Sequence, residues 1–216
     1  MYKRQVYISD CETLDDPEAG SWYPSTVKLD TKSKSEGKAS VTNNLSAEQA
    51  LRENSFRFVP VSPLDLTGGK ELRFDMYVSD PALLAQRTSW AVRLSSSSRG
   101  TDDYIQWTLA DFGTLKEGWN SVTLKLDDAK TSGDFQLSSV EAFYMLAEEA
   151  SFEEGELVMV KLDNIRVSGA SSGDKDDNSS PDTGVAAPVL PAALAVATGG
   201  SAAAVLLSRK KKGSAK

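Results

Sequence analysis

From residue 6 to residue 167 apolar and polar positions alternate in short runs separated by turn residues, the period-2 pattern of half-buried β-strands. Residues 71–78 carry it most cleanly: Leu72, Phe74, Met76 and Val78 share one face, and Arg73, Asp75 and Tyr77 the other. Trp90, Val92 and Leu94 repeat the pattern, as do Ile105, Trp107 and Leu109, then Val122, Leu124 and Leu126, then Val140, Ala142, Tyr144 and Leu146. Phe56 and Phe58, continuing through residues 59–61, form another strand before Pro63. Only residues 46–52, opening at Ser46 as an N-cap, predict a short helical turn. About ten strands in this length predict an all-β fold, a jelly-roll β-sandwich of two packed antiparallel sheets. On the same parity Trp90 and Trp107 belong to the core, and Trp119, at a strand start, to packing.

The last strand breaks the alternation. Val158, Val160 and Leu162 share a face, but Ile165 and Val167 have the opposite parity, so a bulge at Asp163 and Asn164 is needed to return them inward. That bulge turns the Asp163 carboxylate out of the sheet, where something must satisfy it.

Composition then removes several kinds of chemistry. The chain of 216 residues has formal charge −7, and outside its last residues it has no basic patch, which argues against nucleic acid as a partner. It has no histidine and a single cysteine, Cys11, so disulfides within the chain and a thiol protease are excluded, and Cys11 reads as a small buried hydrophobe. Any metal would be a hard, oxygen-liganded ion. The Asp102 and Asp103 pair lies beside the serine-rich residues 95–98 and has no identifiable acid/base partner, so no catalytic constellation emerges.

Residues 169–179 form an acidic, serine-rich stretch too poor in apolar side chains to fold, and read as a flexible linker. After it comes Ser180-Pro181-Asp182-Thr183-Gly184, then the charge-free residues 184–207, then the basic residues 209–212. A helical run of that length can cross a hydrocarbon core about 30 Å thick, and the basic cluster holds the C-terminus inside. The whole of 180–212 resembles the LPxTG-like C-terminal sorting signal of Gram-positive surface proteins, with Ser180 where Leu is usual, as in signals of clostridial relatives. The resemblance implies a sortase that cleaves between Thr183 and Gly184, with Pro181 shaping the substrate, and transfers the Thr183 carbonyl to an amine of peptidoglycan. The product would be extracellular, anchored in the cell wall after transient retention in the membrane. An ordinary membrane span is the alternative; a glycolipid-anchor signal lacks the basic stop.

At the other end, residues 1–5 are what the end of a common transposase-based sequencing adapter encodes when GTG is read as a start codon. They are expected to be a non-native leader, and the folded domain, 6–168, to be the C-terminal part of a larger secreted protein.

That domain is similar to the galactose-binding-like carbohydrate-binding modules found beside glycoside hydrolases. The matching stretches are residues 8–12, 36–41, 74–81, 117–124 and 161–167. The resemblance implies a structural Ca2+ ion held by Asp10 and Glu12, the backbone at Lys38, and Asp163. Carboxylates merely solvated at strand ends are the alternative. It also implies a glycan or polysaccharide as partner, and sugar rings need aromatic faces with planar polar groups. Trp22 and Tyr23, in a loop before Pro24, and the outward residues Arg73, Tyr77, Arg93, Tyr104 and Gln106 are the candidate ligand-binding set, provided the sheet order makes them neighbours. The expected function is non-catalytic: a module holding a larger parent against glycans. A structural spacer or adhesin module without sugar binding, or an accessory module of an upstream glycoside hydrolase, are the alternatives.

Overall fold

The computed structural model describes residues 5–97 and 102–169. Among them thirteen strands, numbered here in chain order, build two antiparallel sheets stacked as a sandwich. One sheet runs β10 (Gly118–Lys125), β7 (Glu71–Val78), β13 (Leu157–Ser168), β5 (Ser40–Ser46), β4 (Lys28–Asp30), with β1 (Gln5–Ser9) also paired to β13. The other runs β11 (Lys130–Ser132), β9 (Tyr104–Thr108), β8 (Thr88–Ser95), β12 (Ala142–Ala150), β6 (Ser55–Pro60), β3 (Gly20–Tyr23), β2 (Asp15–Asp16). Strands β2, β4 and β11 have two or three residues each, too few for an alternation to register in sequence.

Alternation works as expected where strands are long. In β7 Leu72, Phe74, Met76 and Val78 are all buried, and Trp90 and Trp107 lie in the core at 1% and 2% exposure. In β12 the parity is the reverse of the sequence reading. Phe143, Met145 and Ala147 point into the core, and Tyr144 and Leu146 point out. Two bulky apolar residues in succession, Phe143 and Tyr144, left the face ambiguous, and the larger burial gain of phenylalanine decides it.

Helical content also differs. The turn expected over 46–52 is a 3-10 turn at Leu51–Glu53, where the Glu53 carboxylate accepts from the Ala50 N–H, and Ser46 closes β5. A helix not expected, α1 (Pro81–Arg87), connects β7 of one sheet to β8 of the other. Asp80 caps it, its Oδ1 accepting from the Leu83 N–H at 2.9 Å, and Pro81 occupies the first turn.

The bulge is where the last strand predicts it. Asn164 has φ 56° and the register of β13 against β7 shifts between Asp163 and Arg166, so Leu162 and Ile165 are both fully buried. Here β13 also changes partner, from β5 up to Leu162 to β1 from Ile165. Gln5, counted with the leader, is in β1 and pairs with Ser168. The rest of the leader, the linker beyond Gly169, the sorting signal and its apolar segment lie outside the described residues. No helix among the described residues is long and apolar enough to cross a membrane.

Candidate functional site

Packing of the seven-stranded sheet fixes what its outer surface presents. On the inner surface Trp22, Phe58, Phe143, Leu94 and Ile105 lie in register across five strands, with Trp22 and Phe58 ring centroids 5.3 Å apart. One residue further along each of those strands, or one back, gives the outer row: Tyr23, Arg57, Tyr144, Arg93 and Gln106, extended by Lys130 on β11. Six residues on six strands spaced ~4.8 Å apart make a track about 24 Å long across the sheet.

The row is interlocked. The Arg57 guanidinium lies 4.7 Å over the Tyr23 ring, and Arg93 lies 4.2 Å over Tyr104, which sits two residues before Gln106 on β9. Arg93 Nε donates to Gln106 Oε1 and its Nη2 pairs with Glu148. Tyr144 stands between the two arginines; burial raises its pKa, while the neighbouring Arg57 and Arg93 oppose the rise. Tyr144 is thereby tied to Arg57, on a face where Tyr23 is 46% exposed. Aromatic rings flanked by planar donors are the chemistry that a chain of sugar rings requires.

Four of the seven residues expected to bind ligand, Tyr23, Arg93, Tyr104 and Gln106, come together on this face. The others do not. Trp22 is not in a loop: it ends the inner row of β3 at 6% exposure, because alternation sends it inward when Tyr23 points out. Arg73 and Tyr77 face outward, but from the other sheet, since α1 carries the chain across the sandwich between β7 and β8. There Arg73 pairs with Glu71, and Tyr77 is edge-on to half-buried Trp119, centroids 5.8 Å apart. Arg57, Tyr144 and Lys130 were missed. For Arg57 the signal was present, since Phe56 and Phe58 point in; for Tyr144 it was hidden by the doublet Phe143-Tyr144.

A second feature sits on the six-stranded sheet, where β13 changes partner. Asp163 is 1% exposed, and its Oδ2 accepts from the Ser35 N–H at 2.9 Å, the Ser35 hydroxyl at 2.9 Å and the Glu36 N–H at 3.0 Å. Its Oδ1 is buried with no donor, and burial raises the Asp163 pKa in spite of those bonds. Glu12 reaches the same loop from the other side, Oε1 accepting from the Lys38 N–H at 2.7 Å. Gly37 lies between them at φ 63°, a backbone conformation that side chains rarely adopt, and a Cβ there would displace the Glu12 carboxylate. Asp10 is exposed, with Oδ1 accepting from the Glu12 N–H. Asp75, not expected here, lies opposite Asp163 in register and accepts from the same Ser35 hydroxyl at 2.9 Å. Among the described residues no three His, Cys, Asp or Glu side chains gather closely enough to hold a metal. A cation would rely on the orphaned Asp163 Oδ1 together with carbonyl oxygens and water.

An open apolar groove of about 690 Å³ lies at the end of the sandwich between α1 and the 109–115 segment, lined by Pro81, Ala82, Ala85, Leu109 and Leu115.

Neither a protein-family model nor a curated protein matches the sequence. Among solved structures the fold is similar to a family 30 carbohydrate-binding module, with TM-score 0.51 and 16% identity over 82% of this chain and 93% of that one. It is similar also to the family 30 module of a cellulosomal cellulase of Clostridium thermocellum, with TM-score 0.50 and 16% identity over 80% and 99% of the two chains. An exo-β-agarase contains a similar part: TM-score 0.53, 14% identity, 79% of this chain and 25% of the agarase. The chain thus has a β-sandwich fold similar to that of family 30 carbohydrate-binding modules and of a part of the agarase.

Proposed function

We propose that the domain is a non-catalytic polysaccharide-binding module whose site is the outer face of the seven-stranded sheet. The observation that carries this reading is the in-register row Tyr23, Arg57, Tyr144, Arg93 and Gln106, which lines up aromatic and planar polar groups across the strands. The fold shared with carbohydrate-binding modules supports it. Replacing Tyr23 and Tyr144 together by Ala should weaken retention on a bound polysaccharide by about tenfold or more, on the order of 1.4 kcal/mol or above, with the unfolding midpoint little changed. Replacing Arg73 and Tyr77 on the opposite face should leave retention intact. Loss of binding in the second variant but not the first would contradict the assignment, and no binding to any polysaccharide would leave a spacer or adhesin module.

The junction at Asp163 is proposed as a calcium site that ties the first and last strands together, with Asp163 as ligand and Asp10, Glu12 and the Lys38 carbonyl on the two flanking segments. Bound calcium would neutralise a buried carboxylate that now lacks a partner for Oδ1. Calcium in about hundredfold excess over its Kd should raise the thermal midpoint of the chelator-treated protein by about 5–10 °C, and Asp163→Asn should abolish the rise. An unchanged midpoint in the native protein would remove the metal from the account.

Residues 180–212 are proposed to deliver the module to the cell wall. The sorting-signal pattern in the sequence supports this: a sortase would break the Thr183–Gly184 peptide bond, release a chain beginning at Gly184, and pass the Thr183 acyl group to a peptidoglycan amine. Expressed behind a secretion signal in a sortase-bearing Gram-positive host, the protein should become resistant to detergent extraction, and Thr183→Ala should return it to the membrane fraction. Covalent wall attachment of the Thr183→Ala variant would exclude the signal.

A further inference from the structure

Of the six described arginines, Arg73, Arg87 and Arg93 pair with carboxylates, through Glu71, Glu153 with Glu156, and Glu148; Arg52 is exposed, and Arg166 donates to the Asn164 carbonyl. Arg57 differs from all of these. It is half-buried in the row, with Tyr23 under its guanidinium and Tyr144 beside it, and it forms no ion pair with any described carboxylate. Its Nε is buried with no hydrogen-bond partner at all. The cation at the far end of the row, Lys130, is exposed and forms no ion pair among the described residues. A half-buried guanidinium with no carboxylate partner has its desolvation offset only in part by the Tyr23 ring and by Tyr144. It is the arrangement expected where the counter-charge arrives with the ligand.

Resting on the polysaccharide reading above, we infer that the ligand of this face is a carboxylate-bearing polysaccharide, a polyuronate, and that Arg57 is the residue that reads its carboxylate. Guanidinium suits the task better than ammonium, because its planar fork matches a carboxylate bidentately and its face stacks on tyrosine. Spacing agrees with an extended chain laid across the strands: Arg57 and Arg93 are two strands apart, about 10 Å. Such a chain would present every second sugar to an arginine, and to a tyrosine in between. The formal charge of −7 does not prevent this. Charges farther from the ligand than roughly 8 Å are screened at physiological ionic strength, whereas those in the row are in contact with it.

Affinity electrophoresis of the full chain in gels containing polygalacturonate, a sulfated galactan or a neutral β-glucan tests the inference. Polygalacturonate should retard the protein about tenfold more strongly than the neutral glucan at low salt, and that preference should fall with added salt. Arg57→Gln should abolish it, Arg57→Lys should keep part of it, and Arg166→Gln should leave it unchanged, all with native unfolding midpoints. Equal retardation by neutral and acidic gels, unaffected by Arg57→Gln, would overturn the inference while leaving a glycan-binding module. Retardation by the sulfated gel alone would overturn the carboxylate assignment. Retardation by none would overturn the module reading itself.

Discussion

The packing of Trp22, Phe58 and Phe143 against one another on the inner surface of the seven-stranded sheet determines everything its outer surface offers. Side-chain direction in a strand has a period of two, so burying these rings in register forces Tyr23, Arg57 and Tyr144 out in register beside them. A slip of one residue in β6 would bury Arg57 and expose two phenylalanines, at a cost of several kcal/mol. The candidate site therefore needs no loop to organise it. It is the reverse side of the core, and its rigidity is that of the sheet.

The junction on the other sheet obeys a different constraint. A twelve-residue strand, β13, serves β5 with one half and β1 with the other. The exchange leaves a gap that must be closed by side chains. Asn164 takes the left-handed backbone, Asp163 collects the N–H groups of residues 35 and 36, and Glu12 takes that of Lys38. One carboxylate oxygen remains without a donor. The two sheets thus divide the labour: one joins the ends of the domain, and the other faces outward with aromatic and cationic groups.

Much of this was legible in the sequence. The parity of β7, β8, β9 and the bulge in β13 followed from hydrophobic alternation alone, and with them the outward direction of Arg93, Tyr104 and Gln106. What alternation could not convey is which strands are neighbours. Arg73 and Tyr77 have the same outward parity as Arg93 but stand on the other sheet, because Asp80 and Pro81 start a helix that crosses the sandwich. Tyr144 was lost to the ambiguity of two adjacent aromatics, and Trp22 to reading a four-residue strand before a proline as a loop. In each case the missing information is tertiary: a residue's face is local, but its neighbours are set by the order of strands.

The claim that sugar is bound by the row on the seven-stranded sheet is tested most directly by titrating isotopically labelled protein with a soluble oligosaccharide and mapping the backbone amide shifts. The account predicts perturbations centred on Tyr23, Arg57, Tyr144, Arg93 and Gln106, fading toward both edges of the sheet. Perturbations confined to the groove beside α1, or to the β7 and β10 face around Tyr77 and Trp119, would contradict it.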